Sequence, residues 1–238
     1  MRLASLLVLA LCTSPTFAQS AWEPAPRTKE YVWMSTATWK QKHESLLKRT
    51  KEGKIDLLFL GDSITEGWGN NAVWKTNYAP LNAANYGIGG DTTENVLWRI
   101  GNGELEGLKP KVVVLLIGTN NFGLENARPD DVARGVTAVV ETLQKKLPAA
   151  KILLLGIFPR DAKPGADFRK RILAANAKIA ELDDKKSVRY LDIGPKFLDP
   201  EGNLSNEIMP DLLHLSTKGY EIWADAMAPL LKEMLGDK

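Results

Sequence analysis

The chain has almost no cysteine: of 238 residues, Cys12 is the single one. It falls in the opening stretch "MRLASLLVLALCTSPTFAQS", where basic Arg2, an apolar run over 3–12 and small residues around Thr16 and Ala18 follow the layout of a secretory leader. A signal peptide over 1–18, cleaved after Ala18, is expected. The mature chain would then carry no cysteine, which excludes disulfides and thiol catalysis. Leu11 stands where a lipid-modified cysteine usually follows a small residue, so export is expected over a lipoprotein anchor at Cys12.

Histidine is nearly as scarce, with only His43 and His214, and neither an H-E-x-x-H nor a C-x-x-C occurs. No metal site is expected. An excess of one charge is missing too: 31 Lys and Arg against 29 Asp and Glu leave +2. That balance creates no field to recruit nucleic acid or an anionic membrane. No apolar run after the leader is long enough to span a bilayer. The expected product is exported, periplasmic or extracellular, with no integral membrane segment and no nucleic-acid partner.

What the sequence does hold is alternation. With 44% hydrophobic and 25% charged residues it is ordinary globular material, and one domain is the default. Residues 19–35 carry prolines and scattered aromatics without a period, and are expected to form an irregular N-terminal arm ahead of a domain over 36–238. Apolar runs at 55–60, 83–88, 111–118, 151–157 and 188–193 read as strands. Between them lie helical patterns. In 130–147, Val132, Val136, Val139, Val140, Leu143 and Leu147 recur at steps of three and four. The same period runs through 167–182 and 217–235, where Pro229 is expected to kink the helix. Ahead of the first strand, "TWKQKHESLLKRTKEG" reads as a charged amphipathic helix with His43 on the surface. Near-continuous apolar strands alternating with helices imply a parallel sheet with right-handed crossovers. The expected fold is α/β, a three-layer α/β/α sandwich around a five-stranded parallel sheet of flavodoxin-like order, with functional residues beyond the carboxyl ends of the strands.

Polar or glycine clusters fall at those ends or in the last long loop: Gly61-Asp62-Ser63, Gly87-Ile88-Gly89-Gly90-Asp91, Gly118-Thr119-Asn120-Asn121 and Asp211-Leu212-Leu213-His214. Together they hold the parts of acyl transfer. A serine hydroxyl needs an imidazole to take its proton and a carboxylate to orient that imidazole; Ser63, His214 and Asp211 can supply these. Preorganised donors for an oxyanion are available in the Ser63 and Gly90 N–H groups and the Asn120 amide. Each residue also has a local structural reading. "SITE" puts Glu66 three residues after Ser63, the capping-box spacing, so Ser63 reads equally as an N-cap. Asp91 with Glu94 fits the same box, and a cap is the favoured reading there. Asn120 and Asn121 could be turn residues, the glycines could serve a tight turn, and His214 alone would read as a core histidine. "GIGGDT" (87–92) has Thr92 where a dinucleotide fingerprint needs glycine or alanine, and Thr65 replaces the second glycine of a G-x-S-x-G elbow.

These blocks, in this order, resemble the SGNH hydrolases, also called GDSL esterases and lipases. The run over 85–121 is similar to the catalytic subunits of intracellular platelet-activating-factor acetylhydrolase, and the resemblance covers nearly the whole chain from about residue 40. It implies Ser63 as nucleophile, His214 as base and Asp211 as its orienter. It further implies Ser63 N–H, Gly90 N–H and Asn120 as the oxyanion hole, and Ile64, Thr119 and Leu213 as walls of a small acyl pocket. No cofactor is implied, and the resembled subunits pair, so a homodimer is carried over with them. Those subunits are cytosolic, whereas this chain opens on a leader. The expected function is therefore an exported serine esterase removing short acyl groups, chiefly O-acetyl groups on carbohydrate. A lysophospholipase or thioesterase acting on lipid acyl esters is the alternative. A binding module that kept the fold and lost the chemistry is a third. Trp68, Trp74 and Trp98 lie near the first two blocks and are expected to pack rather than stack on a sugar.

Overall fold

The structure, a computed structural model, describes residues 20–236. The expected signal peptide and Cys12 lie outside the described residues. In chain order the elements are α1 (Thr36–Glu52), β1 (Leu57–Gly61), α2 (Ser63–Glu66), α3 (Ala72–Asn77), β2 (Ala83–Gly87), α4 (Thr93–Gly101), β3 (Val112–Leu116), α5 (Thr119–Gly123), α6 (Pro129–Lys146), β4 (Lys151–Leu155), α7 (Asp167–Ile179), β5 (Val188–Leu191) and α8 (Thr217–Leu235), with short 3₁₀ turns between some of them.

The strands form one five-stranded sheet in the order β2-β1-β3-β4-β5, every pair parallel. Side chains alternate between its faces. Leu58, Leu60, Val113, Leu115, Ile152 and Leu154 share one core with Val96, Val139 and Ile172 from α4, α6 and α7. Leu57, Phe59, Val112, Val114, Leu153 and Leu155 face the other, with Trp68 and with Trp223 and Met227 of α8. Burial on both faces is why the central strands β1, β3 and β4 are near-continuously apolar, whereas the edge strands β2 and β5 carry polar residues. The chain therefore adopts the expected α/β sandwich.

β2, β3, β4 and β5 end before their apolar runs do, because the last residues of those runs have already turned into loops, whereas β1 runs on to Gly61. Register sets where those loops emerge: Gly61 at the end of β1 pairs with both Gly87 of β2 and Leu116 of β3. The chain reverses its order of winding between β1 and β3, and a crevice opens at such a switch point. Three of the four polar clusters leave the sheet there side by side.

The helices obey local rules. Pro129 opens α6, with Asp130 and Asp131 in its first turn and Lys145 and Lys146 in its last, all favourable to the helix dipole. Ser216 caps α8 by accepting from Gly219 N–H, and Gly236 ends it in the left-handed region. Pro229 does not break α8, which stays helical through it to Leu235.

His43 departs from expectation. It is buried, with Nδ1 2.7 Å from Glu104 Oε1 and its ring stacked near Trp39. Trp39, His43 and Thr50 are the buried residues of α1, and their spacing places them on its inner face. The surrounding lysines and glutamates disguise that face in the sequence. Trp68 is fully buried, and Trp74 and Trp98 pack against apolar clusters, as expected.

The arm preceding α1 has no regular element but is tied down throughout. Ala21 O accepts from Thr93 Oγ1, Ala25 O accepts from Asn95 Nδ2, and Ala25 N–H donates to Glu94 O. Tyr31 and Met34 exchange both backbone hydrogen bonds, closing a tight turn whose tip is Val32 and Trp33.

Candidate active site

β1 ends at Gly61, where a side chain would collide with Leu116 O and Thr65, so the strand can pass directly into α2 only with glycine there. The cap of α2 is Asp62, not Ser63: Asp62 Oδ1 accepts from Ile64 N–H at 2.9 Å. Nor does Glu66 close a box on Ser63. Its Oε2 accepts the Gly89 N–H at 2.7 Å and its Oε1 meets Lys42. The capping signature is satisfied one residue earlier than its spacing suggests, and Ser63 becomes the first helical residue. Its N–H has no intrahelical acceptor, and its hydroxyl is free to turn outward.

The hydroxyl turns to His214. Ser63 Oγ lies 2.8 Å from His214 Nε2, and His214 Nδ1 lies 2.6 Å from Asp211 Oδ2. The loop over 211–214 is not helical, although Asp211 and His214 stand three residues apart. Leu212 sits at φ 61°, and Asp211 Oδ1 accepts the N–H groups of Leu213 and His214 at 3.1 and 2.7 Å. One carboxylate thus fixes the loop with one oxygen and the imidazole with the other. Partial burial pushes the Asp211 carboxyl up, but the hydrogen bonds from the His214 ring and backbone and from Leu213 N–H hold it below the usual range. Asp211 therefore stays ionised, and its contact with Nδ1 selects the tautomer that leaves Nε2 open to accept a proton.

Gly90 and Asn120 border the same space. Gly90 has φ 73°, and a Cβ there would stand 2.2 Å from the Trp33 ring, so glycine is required twice over. Asn120 donates one amide N–H to Asp91 O at 2.9 Å, and among the described residues its second N–H has no acceptor. Asn121 is no plain turn residue: it accepts from Thr93 N–H and donates to Glu94 Oε2, tying α5 to α4.

Ser63, His214, Gly90 and Asn120 line a cleft of about 400 Å³. Trp33, Met34, Leu124 and Leu213 give it apolar walls, and Glu66 and Arg160 give it polar ones. Of the residues expected to wall an acyl pocket, Leu213 borders this cleft while Ile64 and Thr119 do not. Ile64 points back into the core, its carbonyl taken by the Tyr220 hydroxyl at 2.7 Å, and Thr119 is buried at the start of α5. A side chain next to the nucleophile on a helix faces a different way from it.

Asp91 is not a cap. Thr92 is the N-cap residue of α4, its N–H donating to Asn95 Oδ1 at 3.3 Å, while Asp91 is fully buried, accepting from Arg27 Nη2 at 3.2 Å, Arg99 Nε at 2.7 Å and Trp39 Nε1 at 2.6 Å. Arg99 also meets Glu104, and Glu104 meets His43, forming one buried ionic chain behind the glycine loop. Burial alone would lower the Arg99 guanidinium, but the charges of Glu104 and Asp91 raise it above its ordinary value.

Among the described residues no group of three or more His, Cys, Asp or Glu could hold a metal ion, and no helix is long and apolar enough to cross a membrane. A profile of the GDSL-like Lipase/Acylhydrolase family matches residues 59–222. The chain belongs to this family. It is 38% identical over 197 residues to the platelet-activating factor acetylhydrolase IB subunit alpha2 of Rattus norvegicus, covering 83% of this chain and 85% of the relative. Among solved structures it is similar to an acetyl xylan esterase, AlAXEase (TM-score 0.61, 23% identity, 74% of this chain and 100% of the other). It is also similar to a carbohydrate esterase family 3 member from Talaromyces cellulolyticus (TM-score 0.60, 19% identity, 77% and 99%). The two structural likenesses speak for the fold. As a GDSL-family acylhydrolase the chain is an ester-hydrolysing enzyme.

For a member of that family, the residues that sequence reading missed are Arg27, Trp33 and Met34 from the arm, Glu66 on α2, and Leu124 and Arg160. All but Arg27 line the cleft. Arg27 is buried behind Gly89. None carries a local signal, since each reaches the site through contacts far along the chain.

Proposed function

We propose that this enzyme is an exported serine acetylesterase acting on O-acetyl groups of carbohydrate. Ser63 is the nucleophile, His214 the general base and Asp211 its orienter. The observation that carries this reading is the unbroken hydrogen-bonded line from Asp211 through His214 to Ser63 Oγ, with steps of 2.6 and 2.8 Å, opening on the cleft.

Oγ attacks the ester carbonyl carbon while Nε2 takes its proton. Charge gathers on the carbonyl oxygen, where the Ser63 N–H, the Gly90 N–H and the free Asn120 N–H receive it; one such donor is worth about 3 kcal/mol. The carbon–oxygen bond to the alcohol then breaks, and His214 returns its proton to the leaving oxygen. Water repeats both steps on the acyl-Ser63 ester. Imidazole, carboxylate and N–H donors suffice for this cycle without a cofactor.

The short acyl group and the sugar alcohol draw support from the cleft and from the folds the chain resembles. About 400 Å³ is shared by acyl group and alcohol alike, with Leu213 in its wall. Export rests on the leader over 1–18, and pairing into a homodimer on the resemblance; sedimentation of the mature protein tests the latter. A lipid acyl ester is the second reading, favoured by the exposed Trp33 at the cleft rim and the named activity of the rat relative. Chain-length profiling separates the two. Hydrolysis of p-nitrophenyl acetate should exceed that of the octanoate by at least tenfold, and the mature protein should release acetate from acetylated xylo-oligosaccharides. The reverse order of chain length would overturn the acetylesterase reading.

A further inference from the structure

The peptide between Gly89 and Gly90 has its carbonyl on one residue and its N–H on the next. Because a trans peptide is planar, these two groups point in opposite directions, and whatever holds the carbonyl aims the N–H. Glycine on both sides lets such a unit rotate more cheaply than any other pair, so its orientation must be imposed from outside. Arg27 Nη2 donates to Gly89 O at 2.7 Å, and Arg27 is not among the residues lining the cleft, whereas Gly89 and Gly90 are. The same guanidinium is held by Asp91 Oδ1 at 3.2 Å and is buried, 5% exposed. The preceding peptide is pinned in turn by Glu66, which accepts the Gly89 N–H. Among the described hydrogen bonds of this turn, Asp91 N–H donates to Ile88 O while the Gly90 N–H donates to none.

We infer that Arg27, from the N-terminal arm and outside the segment matched by the family profile, is a positioning residue that sets the oxyanion hole: its guanidinium clamps the Gly89 carbonyl and so presents the Gly90 N–H to the cleft. The inference rests on the reading of Gly90 as an oxyanion donor. A charged donor on the carbonyl also polarises the peptide and makes its N–H a stronger donor. The arm is thereby part of the catalytic apparatus, and Trp33 of the same arm lies against the Cα of Gly90.

The test uses the mature full-length protein with p-nitrophenyl acetate and compares wild type with Arg27→Ala, Arg27→Lys and Arg27→Gln. Lys can return one charged donor to Gly89 O and Gln one neutral donor. Among variants with native circular dichroism, kcat should fall about 10- to 100-fold for Ala and rank Arg, Lys, Gln, Ala, with KM within about twofold of wild type, since the lost interaction forms only in the transition state. Equal kcat among folded variants, or a rise in KM at constant kcat, would overturn the assignment. If Ala does not fold, Lys and Gln carry the same comparison. A Ser63→Ala control keeps the outcomes apart: activity retained there defeats the nucleophile reading itself, whereas activity lost there and unchanged in the Arg27 series defeats only the clamp.

Discussion

Ser63 Oγ and His214 Nε2 meet at 2.8 Å although 151 residues separate them in the chain. The contact is made by β1 and α2 on one side and the loop ahead of α8 on the other, where Asp211 holds the far side of the imidazole. Ser63→Ala and His214→Ala should therefore each lower kcat for p-nitrophenyl acetate by roughly 10³-fold or more, and the double variant should be little worse than either, because the members of such a unit fail together. Losses that multiply would show two independent roles and contradict the shared one.

Asp211 makes a separable claim, because its two oxygens do different work. Asn in its place keeps an oxygen for the Leu213 and His214 N–H groups, so the loop should hold. The other atom becomes an amide NH2 that donates to Nδ1, which puts the imidazole proton on Nε2, so Nε2 can no longer accept from Ser63. Asp211→Asn should lower kcat by roughly 10²- to 10⁴-fold with an unchanged melting temperature. A variant with wild-type kcat would remove Asp211 from the mechanism.

The sheet and most of the site were legible in the sequence for one reason. Strands buried on both faces leave continuous runs such as "VVVLL", and a parallel sheet forces the residues after those runs to one edge. What stayed hidden depended on distant partners. Asp91 and Glu94 fit a capping box, yet Asp91 is claimed by Arg27, 64 residues earlier, and by Arg99 on the inner side of α4. His43 reads as a surface residue until Glu104 and Trp39 close over it. At "GDSITE" the local pattern reads Ser63 equally as cap or nucleophile; in the fold Asp62 caps α2, and the Ser63 hydroxyl meets His214 arriving from the far end of the chain. Local motifs report what a segment can do alone; burial and long-range charge decide which of those things it does.

Gly90 tests whether backbone or bulk governs the oxyanion site. Ala at φ 73° costs about 1–2 kcal/mol in strain, and its Cβ drives the Trp33 ring aside. Gly90→Ala should fold, with kcat reduced at least tenfold. Adding Trp33→Ala removes the collision but leaves the strained φ and displaced N–H, so the double variant should stay as slow as the single one. Recovery of kcat in the double variant would show that the ring's displacement, not the peptide's, caused the loss.

Asp62 carries a pH dependence of stability with a definite sign. Its carboxyl is buried, Oδ1 caps α2 and Oδ2 has no hydrogen-bond partner, and burial pushes its pKa up from 3.8 to about 7, with nearby Asp91 adding to the rise. Below 3.8 both folded and unfolded chains hold the proton. As pH rises the unfolded chain releases it first, so the contribution to stability falls between about pH 4 and pH 7 and then levels off, by a few kcal/mol at most. Asn keeps the capping oxygen and cannot ionise. Asp62→Asn should therefore match wild type in thermal unfolding near pH 4 and exceed it by several degrees at pH 8, with the gap opening as pH passes through that window. Melting temperatures that run parallel from pH 4 to pH 8 would show that Asp62 is ionised in the fold and that another partner supports its charge.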